Sequence, residues 1–327
     1  MLLFISSLAS GLRQAGRIRT AETYLAAAAS LSRFLHHAAP ALPSSYFTPE
    51  RITPQLMLSY ESWLREEGLT ANTSSFYMRV LRAAYNQAVE QRLTPDLQPF
   101  GRVYTGIAKT RKRAISIEEI RRLRRLDLRN QPSLDFARDM FIMSFLLRGM
   151  SFVDMAFLKR GDLRHGILSY RRRKTGQQLH IAWTPEMQSI LNKYPRNPSQ
   201  YLLPILGHDD VKALYRYRSM GCIINRNLKK VACLAGIKTQ LSLYVARHSW
   251  ASAARANGIP LGIISEGMGH DSERTTRIYL ASLDSTCVDQ ANSLIIASIL
   301  EPFLLVIRVK CVNFVLMSLT RSEPTSA

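Results

Sequence analysis

Between Pro95 and Ala114 the sequence reads PDLQPFGRVYTGIAKTRKRA, a run of Pro, Gly and basic residues set between two long stretches of regular apolar patterning. That shift marks an interdomain linker. It divides a chain of 327 residues, already long for one average domain, into two units. The expected boundaries are a helical unit over residues 1–107, a basic linker over 108–114, a mixed unit over 115–290 and a tail over 291–327.

The first unit is patterned for helices. In TAETYLAAAASLSRFL apolar residues recur at three- and four-residue spacing behind Thr20 as a cap. A loop holding Pro40, Pro43 and Pro49 separates this helix from ITPQLMLSYESWLREEGL, which has Thr53 as cap and Pro54 at the first helical position and stops at Gly68. Thr70 or Asn72 opens a further helix that runs to about Leu93. The opening MLLFISSLAS has no basic residue ahead of its apolar run. It reads as an amphipathic first helix and not as a signal segment.

The second unit opens with SIEEIRRLRRLDL, where Ser116 and Glu119 form a capping box. LDFARDMFIMSFLLRGM follows as a buried helix. In GILSYRRRKTGQQLHIAWT two alternating apolar runs flank Lys174-Thr175-Gly176, which predicts a β-hairpin. After Pro185 the pattern is helical to about residue 295. The expected fold class is mainly α with a small β-sheet. In the tail, Phe303 to Leu319 is apolar, but Arg308, Lys310 and Asn313 interrupt it and argue against a membrane span.

Charge narrows the partners. Lys and Arg number 44 against 24 Asp and Glu, a net +20. That points to a polyanion, without separating DNA from RNA or an anionic membrane. Lys109, Arg111, Lys112 and Arg113 in the linker, with Arg171, Arg172 and Arg173 in the hairpin, are the candidate backbone contacts. For the linker run the alternative is a solvated surface patch. The four cysteines show no paired spacing, so neither a disulfide framework nor a structural zinc site is expected, in keeping with a reducing cytoplasm.

The chemistry concentrates in YVARHSWASAARANGIPLGIISEGMGHDSERTTRIYL, residues 244–280. Arg247 and His248 come first, then Met268-Gly269-His270, then Tyr279 nine residues after His270. Any one of these alone is more often structural than catalytic. The ordered set resembles the tyrosine recombinase, or phage integrase, family, and the resemblance extends over about residues 1–290. The family's His-x-x-Arg-His, Leu-Gly-His and Tyr motifs correspond to Tyr244-Val-Ala-Arg247-His248, Met268-Gly269-His270 and Tyr279, and its hairpin lysine to Lys174. RGMSFVDM and YRRRKTG are similar to a branch found in Bacteroides-type bacteria and their mobile elements.

The resemblance implies a SAM-like helical core-binding domain ahead of a mixed catalytic domain, the two clamping double-stranded DNA. It implies a 3′-phosphotyrosyl intermediate on Tyr279, with a homotetramer on paired sites and accessory DNA-bending proteins as partners. The expected location is the bacterial cytoplasm, at the nucleoid. No cofactor and no metal are implied.

Physical chemistry agrees with those roles. A phenol with a pKa of about 10 needs a proton acceptor or a cation before it attacks at neutral pH. Attack gathers negative charge on the non-bridging phosphate oxygens, which the guanidinium of Arg247 matches bidentately. His270 can donate a second hydrogen bond or shuttle a proton, and Lys174 suits the general acid to the leaving 5′-oxygen.

Two positions depart from the family pattern. Its first arginine normally lies in a segment like Thr-Gly-Leu-Arg-Ile-Ser-Glu, but here Ser151 holds that place in Arg148-Gly149-Met150-Ser151-Phe152-Val153-Asp154. If the helical turn continued, Arg148 would share a face with Ser151 and supply the missing guanidinium. The alternative is a structural pairing of Arg148 with Asp154 or Asp139. Tyr244 stands where the family usually has His, which moves the general-base role toward His270 or water. Asp154 and His248 are expected to orient neighbours. The competing functions are a type IB topoisomerase with the same chemistry and a catalytically impaired DNA-binding protein with the same fold.

Overall fold

The computed structural model describes residues 1–43, 46–108, 113–207 and 213–279, and for Leu214, Ile278 and Tyr279 it describes the backbone. Lys109, Arg111, Lys112, residues 280–290 and the tail over 291–327 lie outside the described residues. The chain forms two compact units, Met1–Arg111 and Lys112–Ala327.

Among the described residues four α-helices build the first unit: α1 (Leu2–Gln14), α2 (Ile18–Ala38), α3 (Pro54–Glu66) and α4 (Ala71–Glu90). Thr53 caps α3 by accepting from the Leu56 N–H at 3.2 Å, and Thr70 caps α4 by accepting from the Thr73 N–H at 3.3 Å. Thr20 does not cap α2, which starts at Ile18. The reason lies in α1, which closes in a Schellman turn. Gly16 takes φ 72°, the Arg17 N–H reaches Leu12 O and the Gly16 N–H reaches Arg13 O, so the next helix begins directly behind it. Phe34, Met57, Tyr60, Leu64, Met78, Leu81 and Tyr85 fill the core. Burial pushes the Tyr60 phenol pKa up, and the hydroxyl donates to Ser30 Oγ at 2.8 Å. Asn72 on α4 clasps the chain beyond the bundle through both polar groups of Ala108.

The second unit contains α5 (Ile117–Arg125), α6 (Pro132–Leu146), α7 (Phe152–Ala156), β1 (Leu163–Arg164), β2 (Ile167–Arg171), β3 (Gln178–Ala182), α8 (Pro185–Asn192), α9 (Ala213–Leu234), α10 (Leu243–Ala256), α11 (Leu261–Gly267) and α12 (Glu273–Tyr279). The capping box of α5 is formed in both directions. Helix α6 is buried without a break from Ala137 to Ser144 and packs against α5, α8, α9 and α10. Beneath it, Arg138 bonds Asp135 and Asp139, while Lys193 and Tyr194 close on the same carboxylates.

The sheet is antiparallel in the order β1-β2-β3. Leu168 faces Ile181 and Tyr170 faces Leu179 across β2 and β3. All four are buried while their neighbours Arg171, Gln178 and His180 are exposed, the period-two pattern of a half-buried hairpin.

Two expectations fail here. The helical pattern after Pro185 is interrupted, because α8 stops at Asn192 and residues 193–207 are irregular. Pro195, Pro198 and Pro204 preclude helix there, and the Asn197 amide holds the turn by donating to Leu203 O and Leu206 O. Nor does the turn of α6 continue to Ser151. The helix ends at Leu146, and both Arg148 (φ 58°) and Gly149 (φ 69°) are left-handed, so Arg148 and Ser151 share no helical face. Among the described residues no helix is long and apolar enough to cross a membrane.

Candidate active site

The site forms where the turn after α6, the middle of α10, the hairpin turn and the loop between α11 and α12 meet. Its centre is Arg247, on α10 and only 4% exposed. Nη1 donates to Gly149 O at 2.7 Å, and Nη2 donates to Met268 O at 2.7 Å and to His270 Nε2 at 2.9 Å. Gly149 makes this approach feasible. A Cβ on residue 149 would fall 2.7 Å from Arg247 Cα, closer than carbon atoms tolerate.

His270 is buried beside Arg247. A guanidinium only donates, so Nε2 is the acceptor and the ring is neutral. The proton then sits on Nδ1, which donates to Thr276 Oγ1 at 2.8 Å. Burial is the main force holding the imidazole neutral. The charges of Arg247, Arg172 and Lys174 add to it, and the pKa falls to about 3. Thr276 is completely buried on α12. Tyr279 is the last residue of that helix, three residues on, so its backbone lies one turn beyond the His270 bond.

The hairpin turn contributes a second buried cation. Arg172 is 5% exposed, and its Nη1 donates to Gly269 O, the carbonyl joined to His270. Thr175 Oγ1 reaches the same carbonyl at 3.4 Å. Lys174 is exposed at the tip, and its charge is felt at His270. Arg173 lies over the Phe157 ring, 4.3 Å from its centroid, and its backbone N–H donates to Asp154 Oδ1 at 2.9 Å. Arg171, at the end of β2, is exposed, as is Arg113 before α5.

Ser151 has a local task. It is the N-cap of α7, accepting from the Asp154 N–H, and its hydroxyl donates to Asp154 Oδ2 at 2.6 Å. Asp154 therefore joins the α7 cap to the hairpin turn. Arg148 forms no ion pair with Asp154 or Asp139. The Asp154 carboxylate is committed to Ser151 and Arg173, and that of Asp139 to Arg138, Lys193 and Tyr194. The Arg148 side chain instead lines a cavity of about 430 Å³ with Gln177, Trp250, Glu266 and Gly267. Tyr244 is 55% exposed at the start of α10 and meets the buried His248 edge-on, with 4.6 Å between ring centroids.

Arg247, His270, Arg172 and Lys174 are thus brought together, while Arg148 and Tyr244 face other surroundings. Sequence reasoning missed Thr276 and the burial of Arg172. Thr276 had a signal, one turn before Tyr279 on a predicted helix. Arg172 had none, since it sits in a run of three arginines. Among the described residues no group of three or more His, Cys, Asp or Glu side chains gathers as a metal site.

Comparison with known proteins gives the family of the chain. A model of the phage integrase SAM-like domain matches residues 1–101, and a model of the phage integrase family matches residues 137–286. The chain is similar to the tyrosine recombinase XerD of Chlorobaculum tepidum, 24% identical over 243 residues that cover 71% of this chain and 77% of the relative. Among solved structures, it is similar to a lambda integrase dimer bound to a COC′ core site. There the TM-score is 0.61 at 16% identity, covering 84% of this chain and 75% of that one. A lambda integrase tetramer bound to a Holliday junction gives a TM-score of 0.57 at 14% identity, covering 78% and 71%.

Proposed function

The chain belongs to the phage integrase family of tyrosine recombinases, and on that premise we propose that it is a site-specific DNA recombinase working through a 3′-phosphotyrosyl intermediate on Tyr279. The observation that carries the reading is the Arg247–His270–Thr276 chain of hydrogen bonds, which ties the buried guanidinium to the short helix that ends in Tyr279. Double-stranded DNA is the partner, a reading supported by the lambda integrase structures, which are bound to a COC′ core site and to a Holliday junction. The working form is a homotetramer on two sites, with integration, excision or inversion as the outcome.

The Tyr279 oxygen attacks the phosphorus, the bond to the 5′-oxygen breaks, and the strand stays joined to the protein through its 3′-phosphate. Arg247 holds a non-bridging oxygen as charge builds there. Lys174 gives the departing 5′-oxygen its proton, and the phenol proton leaves to water or to His270. For His270 to accept it, Arg247 must release Nε2, as it does if its guanidinium turns toward a bound phosphate. The phosphotyrosyl bond keeps the energy of the bond it replaces, so rejoining is the same step run backward.

A nicked suicide duplex tests this. Its sequence is first selected by binding from a randomised pool. The protein should form a covalent adduct on its selected site and none on unrelated duplex, and Tyr279→Phe should form no adduct. Adduct on any duplex would point to topoisomerase action. Binding without adduct would leave a DNA-binding protein of this fold.

A further inference from the structure

Negative charge builds on both non-bridging oxygens of a phosphate under attack, where cations stabilise it, and the position of Ser151 supplies none. Ser151 is occupied as a helix cap, and Arg148 points into the cavity beside Trp250 and Gly267. A different arginine is already inside the site. Arg172 is 95% buried, yet among the described residues its guanidinium makes one bond to protein, through Nη1 to Gly269 O. Its Nε is buried without a hydrogen-bond partner among the described residues. Nor does any described carboxylate pair with it, although Arg138 and Arg129 elsewhere in the unit do find carboxylates. Burying a cation without a counter-ion, and a donor without an acceptor, is costly. That cost is recovered if an anion completes the site. The unmet donor belongs to a guanidinium one peptide group away from His270, whose ring touches Arg247.

We propose that Arg172 is a catalytic residue, the second guanidinium on the scissile phosphate, doing from the hairpin turn what the residue at 151 does not. The assignment rests on the recombinase reading and deepens it. Arg172 donates to a non-bridging oxygen and remains protonated throughout, so it stabilises charge and transfers no proton. Two buried cations around a neutral imidazole form a pocket for one phosphate group. The hairpin then carries two separate functions, charge stabilisation by Arg172 and proton donation by Lys174. Gly269 must stay a glycine beside it, since a Cβ there would fall 3.0 Å from Arg172 Cδ and 2.8 Å from Leu179 Cδ1.

The test uses the full chain and its selected nicked duplex in two forms, one with the ordinary scissile phosphodiester and one with a methylphosphonate, which lacks the negative oxygen. On the phosphodiester, Arg172→Met should lose about 100- to 1000-fold in the rate of adduct formation, the usual effect of removing one such donor. Arg148→Met should stay within a few-fold of wild type. On the methylphosphonate the Arg172→Met deficit should largely vanish, because there is no oxyanion left to stabilise. A merely structural arginine gives a loss that persists on both substrates in protein that still binds DNA, and that result would overturn the assignment. So would normal phosphodiester cleavage by Arg172→Met. If the Met variant does not fold, Arg172→Gln, which keeps a polar side chain but no charge, is measured in the same pair of substrates, with the same two refuting outcomes. Absence of adduct with wild-type protein that binds the duplex is a different failure, since it removes the recombinase reading and the assignment together.

Discussion

Gly149→Ala separates two costs that usually come mixed. Gly149 has φ 69° and Gly258 has φ 73°, so an alanine at either position meets the same left-handed penalty of roughly 1–2 kcal/mol. Their surroundings differ. A Cβ at 258 meets nothing within 4 Å, whereas one at 149 falls 2.7 Å from Arg247 Cα and 3.1 Å from its Cγ. The Arg247 backbone is in the middle of α10 and its guanidinium is bonded to Gly149 O, so the clash is not relieved by a side-chain rotation. Overpacking of this kind costs about 1–3 kcal/mol. Gly149→Ala should therefore destabilise by about 2–5 kcal/mol against about 1–2 for Gly258→Ala. At about 2–4 °C per kcal/mol for a unit of this size, the melting temperatures should fall by roughly 4–20 °C and 2–8 °C. Urea unfolding of the two variants side by side measures the difference. Adduct formation by folded Gly149→Ala should fall further, since about 1 Å of misplacement at a catalytic group can cost about 100-fold. Equal destabilisation by the two alanines, within about 0.5 kcal/mol, would refute the argument that Gly149 is required by the approach of Arg247.

Further outcomes follow from the same geometry. Thr276→Val keeps the shape but leaves the His270 Nδ1–H without its acceptor, so it should cost about 1–3 kcal/mol and slow adduct formation; an unchanged urea midpoint would show that the bond contributes nothing. Ser151→Ala removes a helix cap and should cost about 0.5–2 kcal/mol while the folded enzyme cleaves within a few-fold of wild type. A loss of about 100-fold would instead mark Ser151 as a phosphate donor. His270 titrates at about 3 when folded and near 6.5 when unfolded. Below pH 6.5 the unfolded chain binds the extra proton, so stability falls as pH drops from 6.5 toward 5, and above 6.5 this group has no effect. His270→Gln should flatten that part of a plot of urea midpoint against pH, and an unaltered slope would show that the ring already charges in the fold.

Much of this was legible in the chain. Thr53, Pro54, Thr70, Ser116 and Glu119 announced their helix starts because capping is local, decided by residues two or three apart. The hairpin was legible for the same reason, with Leu168, Tyr170, Leu179 and Ile181 alternating on either side of the turn. What stayed hidden depends on residues distant in sequence. The Nη1 bond of Arg172 spans 97 residues and the bond of Arg247 to Gly149 spans 98. Nothing in YRRRKTG tells which of three arginines turns inward. The helical turn expected to carry Arg148 alongside Ser151 failed for a local reason: two successive left-handed residues follow a helix whose apolar pattern gave no stop signal beyond Gly149.

The polar network under α6 bears on how the second unit comes together. Arg138, Asp135 and Asp139 belong to one helix, but Leu126 O before it and Lys193 and Tyr194 after the sheet complete their bonding. Until residues 193 and 194 arrive, a collapsed intermediate containing α6 would bury incompletely matched charge, several kcal/mol uphill by the usual cost of such groups. Partial structures holding α6 in a dry core are thereby disfavoured, and refolding of the unit should show a single exponential with no populated intermediate that buries α6 before residues 193 and 194 are in place.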